Sequence, residues 1–170
     1  REMIDIQRLS YPADSSTYFT VWNWMQAQPQ LYEHLHGFDD FEQFVRPDFE
    51  VADFAFWYDG ELIAFAALMY RGSKRCQFCL VTPATPKLRP LLEGLRCLQA
   101  TYFIQLGFSE LYVHLRPLPQ YDRARRLAKY MGWKRLNDDL WVITLDHFIQ
   151  QYISQENYVE RKRRDCNSAF

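Results

Sequence analysis

The spacing of apolar residues divides the first fifty residues into one strand and two short helices. Residues 4–9 alternate apolar and polar side chains, which predicts a half-buried β-strand. The polar residues at 14–16 offer helix caps ahead of an apolar stripe at helical spacing, and Pro29 ends that helix. A second short helix is predicted over residues 41–47, again with one apolar face.

The apolar period then changes from helical to alternating, which indicates a meander of three antiparallel strands. Residues 54–58 alternate, and the Asp-Gly pair at 59–60 is a strong hairpin signal. Residues 62–70 are almost continuously apolar, so we expect this strand to be central and covered on both faces. A second turn at 72–73 leads into a third strand over 75–81.

A long helix and a further strand follow the meander. Leucines recur at helical spacing over residues 88–106, with Pro90 tolerable only in the first turn. Gly107 stands where a C-terminal cap belongs, and residues 111–115 are strand-like. Strand, crossover helix and strand together predict a parallel β-α-β unit.

The last third of the sequence predicts a short helix, a hairpin and a terminal helix. The short helix ends at Gly132 and carries four apolar residues on one face, namely Ala124, Leu127, Ala128 and Met131. Residues 133–136 and 140–145 are predicted to pair as a hairpin, and a helix is predicted from Asp146.

The composition is that of one folded domain without a general affinity for nucleic acid. The chain has 170 residues, and aromatic residues make up 17% of them, which excludes intrinsic disorder. The net charge of -1 lacks the basic excess that phosphate backbones require. No apolar run approaches the length of a membrane span, and no signal peptide is recognisable, so we expect neither membrane nor secretion.

The cysteines and histidines predict no metal site and no disulfide framework. Cys76 and Cys79 have C-x-x-C spacing, but residues three apart on a strand point to opposite faces. We therefore expect buried or half-buried free thiols, a reducing compartment and a cytoplasmic location. His34 and His36 form an isolated pair with no further ligands beside them.

The element order, with the pattern of Ala124, Leu127 and Gly132-Trp133, resembles the GNAT superfamily of acyl-CoA-dependent N-acyltransferases. The resemblance implies an α/β fold with a mixed sheet and helices on both faces. In that sheet an antiparallel meander is followed by a β-α-β crossover and a C-terminal hairpin. We expect residues 1–145 to form this single domain, and residues 146–170 to form a C-terminal helix and a basic tail.

The resemblance also implies a donor site for acetyl-CoA or another acyl-CoA, with no metal. In this family the fourth and fifth strands splay apart, and the pantetheine arm pairs with the free edge of the fourth strand. That edge corresponds here to Phe78, Cys79, Leu80 and Val81. The pyrophosphate lies at the start of the long helix, where the side chains able to bind an anion are Thr82, Thr85, Lys87 and Arg89.

The phosphate-binding turn departs from the family pattern. The family places closely spaced glycines there, whereas this chain has none between Gly72 and Gly94. Three prolines, at positions 83, 86 and 90, each remove an N–H donor. We therefore expect a degenerate motif in which side chains take the place of a preformed backbone nest.

The resemblance offers three candidate catalytic residues, none at the family's usual position. Many members use a tyrosine four residues before the helix-end glycine to protonate the departing thiolate, but that position is Ala128 here. Tyr130 lies on another side of the same helix, and Tyr121 stands at its start. His114 on the fifth strand has a pKa range that suits a base.

Two hypotheses of function from different classes stay open at this point. The first is an N-acyltransferase acting on an amine-bearing small molecule or protein, with a larger acyl or an aminoacyl donor as a variant. The second is a catalytically degenerate fold that serves as a binding or structural module, with a protein partner or a homodimer. The basic residues of the short helix are spaced like a solvated face, not a nucleic-acid site; they are Arg123, Arg125, Arg126 and Lys129.

Overall fold

The computed structural model describes residues 4–32, 40–70 and 75–151, and its framework is a seven-stranded mixed sheet. The strands are β1 (Ile4–Leu9), β2 (Val51–Tyr58), β3 (Glu61–Tyr70), β4 (Arg75–Val81), β5 (Glu110–His114), β6 (Lys134–Arg135) and β7 (Leu140–Thr144). Their order in the sheet is β1-β2-β3-β4-β5-β7-β6. All neighbours are antiparallel except β4 and β5, which are parallel. The meander, the parallel unit and the terminal hairpin predicted from the sequence are confirmed.

Helices and helical turns connect these strands. The α-helices are α1 (Ser15–Ala27), α2 (Pro29–Tyr32), α3 (Phe41–Val45), α4 (Leu88–Ala100) and α5 (Asp122–Tyr130). A π-helical turn, Thr101–Gln105, extends α4, and a 3-10 turn, Pro119–Tyr121, precedes α5. A last helix, α6, occupies residues 145–151 of the described part.

Two hydrophobic cores lie on the two faces of the sheet. Alternate residues of β3 enter different cores because successive side chains of a strand point to opposite faces. One core joins the sheet to α4, α5 and α6, with Leu95, Ala128 and Phe148 among its members. The other joins the sheet to α1 and α3, with Tyr18 and Phe44 among its members. This double coverage confirms that β3 is a central strand.

The two cysteines of β4 are separated by the sheet. Cys76 belongs to the core beneath α4, and Cys79 belongs to the core beneath α1. Both are buried free thiols on opposite faces of the sheet, as their spacing on a strand predicts, while Cys97 is an exposed free thiol on α4. Across the described residues, no group of three or more potential metal ligands comes together.

Two glycines take part in the fold for different reasons. Gly60, with Asp59, forms the β2–β3 turn at positive φ (76° and 51°), as the hairpin signal predicts. Gly94 lies where α4 crosses the sheet, and a Cβ there would stand 2.9 Å from the ring of Phe56. The close approach of α4 to the sheet therefore depends on the missing side chain.

The long helix differs from its prediction in two ways. The α-helix ends at Ala100 and continues as a π-helical turn up to Gln105, before Gly107 at φ 72° ends it. The ends of the leucine stripe are also solvent-exposed, since Leu88 and Leu106 are 57% and 52% accessible. The hydrophobic spacing extends beyond the contact with the sheet, so periodicity alone overestimates the buried length.

The cap predicted for α1 also differs in detail. Asp14 stands at the N-cap position but makes no side-chain bond to the helix. One carboxylate oxygen accepts from the N–H of Ser10 (2.8 Å), and the other accepts from Gln7 Nε2 (3.2 Å). Asp14 therefore fixes the loop after β1.

Some predicted features lie outside the described residues. These are the turn at 72–73, the His34 and His36 pair, and the basic tail within residues 152–170. Among the helices that are described, none combines the length and apolar character needed to cross a membrane.

Candidate functional site

The two parallel strands at the centre of the sheet separate half-way along β4. Arg75, Cys76 and Gln77 pair with residues 110–112 of β5, and the ladder then ends. Phe78–Val81 continue to pair with β3 on the other side but have no partner in β5 within the described residues. The second half of β4 therefore presents an open strand edge towards a cleft between β4 and β5.

Side chains of the open half of β4 are anchored in both cores, which holds its backbone in place. Phe78 contacts the ring of Trp133 at a centroid distance of 5.9 Å, beneath α5. Leu80 packs on the same core, whereas Cys79 and Val81 are buried in the opposite one. The four residues predicted to bind a pantetheine arm thus lie together along the cleft.

The segment between β4 and α4 carries the predicted anion-binding side chains, and it offers few backbone donors. Pro90 in the first helical turn has no N–H, and the N–H of Leu91 donates to the carbonyl of Lys87 (3.1 Å). The side chains of Thr85 and Arg89 are exposed at the helix start. Any anion bound here would depend largely on side chains.

Lys87 already has a partner of opposite charge. Its Nζ lies 2.5 Å from Oε2 of Glu61, at the start of β3, and both side chains are at least half exposed. The Glu61 carboxylate therefore competes with any phosphate for this lysine. Because the pair is exposed, its energy is small, and a dianion could displace it.

The residue that follows β4 is held by two side chains, one from the residue between α1 and α2 and one from the last residue of α2. Gln28, which is 7% accessible, donates from Nε2 to the carbonyl of Thr82 at 2.9 Å. The N–H of Thr82 donates to the hydroxyl oxygen of Tyr32 at 3.1 Å. The backbone of Thr82 is thus fixed from the face of the sheet that α1 covers.

The other wall of the cleft is attached to the same short helix. Tyr121, in the 3-10 turn before α5, donates its hydroxyl to the carbonyl of Leu31 in α2 at 3.3 Å. Because Thr82 follows β4 and Tyr121 follows β5, α2 spans the mouth of the cleft. The Tyr121 hydroxyl points to α2, and its proton is used there.

The other two predicted catalytic residues are more exposed. His114 is an exposed residue at the end of β5, where its ring makes an edge contact with Tyr112 at 5.7 Å. Tyr130 is 63% accessible at the C-terminal end of α5. Within the described residues, the ring contact of His114 is with Tyr112 and not with the open half of β4, whereas Tyr32 contacts the residue that follows β4.

A second buried polar group lies beneath α1. Asp53 on β2 is 8% accessible and accepts from the hydroxyl of Tyr18 at 2.6 Å. The carboxyl lines a small cavity of about 10 Å³, roughly the room of one water molecule, between apolar side chains of the sheet and α3. Burial raises the pKa of Asp53, while the Tyr18 bond and the charge of Arg8 oppose that shift.

Burial also keeps the nearby titratable groups protonated. Burial raises the pKa of the Cys79 thiol well above its ordinary value, and the charge of Asp53 acts in the same direction. Burial likewise raises the pKa of the Tyr32 phenol, against the effect of its bonds to Thr82. Both side chains therefore keep their protons at physiological pH.

The sequence did not indicate Gln28, Tyr32, Tyr18 or Asp53 as a site. Tyr18 and Tyr32 belong to an N-terminal aromatic surplus that favours packing, and Gln28 and Asp53 have no motif around them. One signal was present for Asp53, since an acidic residue interrupts the apolar side of a strand. Contacts between residues 35 to 54 positions apart carry no local pattern.

Comparisons with known proteins identify the fold. No protein-family model matches the sequence, and a comparison with curated proteins finds no match. Solved structures do match, at low sequence identity. FdhC, described as a nucleotide-linked sugar GNAT, has a TM-score of 0.68 at 10% identity, covering 91% of this chain and 93% of its own.

Two further matches are acetyltransferases. AAC(6')-Ib, in complex with paromomycin and acetyl-CoA, has a TM-score of 0.64 at 15% identity, covering 86% of this chain and 96% of its own. The spermidine N-acetyltransferase SpeG from Vibrio cholerae has a TM-score of 0.62 at 11% identity, covering 88% and 98%. The protein therefore has the GNAT fold, as the resemblance in sequence implied.

Proposed function

We propose that this protein is an N-acyltransferase that transfers an acyl group, expected to be acetyl, from acyl-CoA to an amine acceptor. The observation that carries the proposal is the separation of β4 from β5 after Gln77, which leaves the backbone of Phe78–Val81 open on one side. Amide groups of a pantetheine arm can pair with such an edge as a further strand would. The matched acetyltransferases act on amine-bearing compounds, which supports the acceptor class.

The protein's part in catalysis is mainly positioning. The open edge of β4 would hold the donor thioester and polarise its carbonyl through a backbone N–H. A neutral amine would then attack the carbonyl carbon, and the carbon–sulfur bond would break. Lys87 and Arg89, with Thr82 and Thr85, would hold the phosphates through side chains in place of a glycine-rich nest.

A catalytically inactive GNAT-like module is the second candidate. It is favoured by the prolines of the loop and by the Lys87–Glu61 pair, both of which weaken a phosphate site. In that case the sheet, whose fold the matched structures share, would serve a protein partner or a second copy of the chain. A cytoplasmic location, the boundary at residue 145 and the roles of His114, Tyr121 and Tyr130 stay predictions.

Thermal unfolding with acetyl-CoA separates the two candidates. A ligand that binds only the folded state stabilises it and so raises the melting temperature. At a ligand concentration a hundred times the dissociation constant, the added stability is about 2.7 kcal/mol. We expect a rise with acetyl-CoA and with CoA. No rise at millimolar acetyl-CoA would contradict the acyltransferase and favour the module.

A pair of lysine variants makes the test specific. Lys87→Gln should weaken acetyl-CoA binding several-fold because it removes a phosphate partner at the start of α4. Lys129→Gln is the matched control, since Lys129 is an exposed lysine in the last turn of a different helix, α5. Equal losses in both variants would indicate a general charge effect. Acetylation of spermidine and of an aminoglycoside then tests the acceptor class.

A further inference from the structure

The loop after β4 is poorly suited to the nucleotide half of CoA. The N–H of Thr82 already donates to a phenol of α2 at 3.1 Å, and the prolines at 83 and 86 have no N–H. Lys87 is paired with the carboxylate of Glu61. The open half of β4 beside this loop still suits an uncharged pantetheine arm, because such an arm needs only a free strand edge.

The opposite wall of the cleft carries a concentration of positive charge. Residues 114–135 hold seven lysines and arginines and one acidic residue, although the whole chain has a net charge of -1. This segment runs from the end of β5 through α5 to β6. Because β4 and β5 are parallel, the loops that follow them lie at the same end of the sheet, so the segment begins at the mouth of the cleft.

Three exposed arginines near this mouth have no ion-pair partner among the described residues; these mouth arginines are Arg116, Arg123 and Arg126. Arg125 is used differently, since it donates to the carbonyl of Leu118 at 3.1 Å and to that of Arg116. It therefore fixes the loop between β5 and α5. The mouth arginines stand on a fixed backbone with guanidinium groups that can pair with carboxylates or phosphates.

We propose that the acyl donor is an acidic carrier protein that bears the acyl group as a thioester on a phosphopantetheine arm, an inference that rests on the proposed acyl transfer. The arm lies along the open half of β4, and the mouth arginines bind acidic side chains around its attachment point. The amine nitrogen bonds to the thioester carbon as the carbon–sulfur bond breaks. The proton that the amine loses reaches the sulfur through water, so the products are the amide and the free thiol of the carrier.

A carrier protein matches the two walls of the cleft better than the other polyanionic ligands do. CoA has the same arm, but its pyrophosphate needs the backbone donors that the loop after β4 lacks. A nucleic acid matches the positive charge and has no arm for the open half of β4. Charge complementarity over a protein surface also speeds association, which a short arm alone does not.

The test measures binding to the full chain by calorimetry at low salt. The probes are a purified acyl carrier protein of fatty-acid synthesis bearing acetyl-phosphopantetheine, the same protein without its arm, acetyl-CoA and S-acetylpantetheine. We expect the loaded carrier to bind about 10-fold or more tightly than acetylpantetheine, since it adds a second contact. The carrier without its arm should bind more weakly than the loaded one. Added salt should weaken binding of the carrier and leave that of uncharged acetylpantetheine nearly unchanged.

Charge reversal at the mouth locates the contact. Arg123→Glu combined with Arg126→Glu should weaken binding of the loaded carrier about 10-fold or more and change that of acetylpantetheine less than about twofold. Lys129→Glu combined with Lys134→Glu is the matched control, because it makes the same change in net charge at exposed residues towards and beyond the other end of α5. The control should stay within about threefold of the wild type.

The outcomes separate this inference from the proposed function. If neither acetyl-CoA nor acetylpantetheine binds the wild type, the proposed function fails and the inference with it. If both bind and the loaded carrier binds no more tightly than acetylpantetheine, the inference alone fails. Equal losses in the arginine and lysine variants also overturn it, as does an equal loss of acetyl-CoA and carrier binding in the arginine variant. Tighter binding of a short single-stranded RNA than of the loaded carrier would assign the surface to nucleic acid and overturn it as well.

Discussion

The two halves of β4 have the same strand geometry and opposite relations to their neighbours. Arg75–Gln77 pair with β3 on one side and β5 on the other. Phe78–Val81 pair with β3 alone, while their side chains stay packed in the two cores. The first half is closed, which means that it is paired on both sides and belongs to the framework. The second half has one unpaired backbone edge but is held in place by its packed side chains.

If the open half binds the donor as proposed, this difference separates the part of the fold that provides stability from the part that binds. Side chains on both faces and the ladder with β3 hold the open half, so the backbone groups that face β5 are not needed to keep it in place. The closed part of the sheet, from β1 to the start of β4, supplies the rigid support. A variant in the closed part should therefore change stability, and a variant around the open half should change ligand binding.

The largest effect is expected from the core beneath α4. Phe56 on β2 is fully buried and contacts α4 where Gly94 allows the close approach. Phe56→Ala should lower the free energy of unfolding by about 3–5 kcal/mol, because it removes a buried ring and leaves a cavity. Urea denaturation measures this loss.

The control for this variant is an exposed apolar residue at the end of the π-helical turn that extends α4. Leu106→Ala should change the free energy of unfolding by no more than about 0.5 kcal/mol, since Leu106 is more than half exposed. Acetyl-CoA should bind the folded Phe56→Ala protein with nearly the wild-type affinity. A large loss of affinity would show that the closed and open regions are not independent.

An intermediate effect is expected from the buried carboxyl beneath α1. Tyr18→Phe removes the hydrogen bond to Asp53 and should cost about 1–3 kcal/mol, because a buried acceptor loses its donor. Asn at position 53 can still accept from Tyr18 and does not titrate. Asp53→Asn is therefore the matched variant for the pH dependence.

The direction of the pH dependence follows from the raised pKa of Asp53. Folded Asp53 keeps its proton to higher pH than the unfolded chain, whose carboxyl titrates near 3.8. Between those two values the folded state binds more protons, so stability falls as pH rises. The stability of the wild type relative to Asp53→Asn should therefore decrease from about pH 4 towards neutrality. A rise in this relative free energy of unfolding over the same pH range, measured by urea denaturation, would contradict the raised pKa of Asp53.

The smallest effect is expected at the start of α4. Glu61→Gln removes the carboxylate that holds Lys87 and should tighten acetyl-CoA binding about two- to fivefold. The free energy of unfolding should stay within about 0.5 kcal/mol of the wild type because the pair is exposed. Weaker binding in Glu61→Gln, measured by calorimetry, would place Lys87 outside the phosphate site.

Local sequence signals predicted most of the framework. The alternation in β1, the Asp59-Gly60 turn and the apolar run of β3 each depend on neighbouring residues, and each is confirmed. The π-helical turn after Ala100 was missed because its residues keep the helical apolar spacing. The spacing of hydrophobic residues shows which face of a helix is buried. It does not distinguish the hydrogen bonds of an α-helix from those of a π-helical turn.

The site was predictable in part. The open half of β4 followed from the resemblance, and the structure brings its four residues to one cleft. The bonds of Gln28 and Tyr32 to Thr82 were not predicted, since they join residues at least fifty positions apart. Neither were the Lys87–Glu61 pair and the Tyr121–Leu31 bond, which arise from the packing of the loops on the sheet.

Hydrogen exchange of the β4 amides tests the central claim most directly. Without ligand, amides of Phe78–Val81 that face β5 should exchange faster than the paired amides of Arg75–Gln77, because they lack a strand partner. Saturating acetyl-CoA should slow exchange in Phe78–Val81 and leave Arg75–Gln77 nearly unchanged. Equal protection of both halves before ligand, or no change with acetyl-CoA, would contradict an open strand edge that binds the donor.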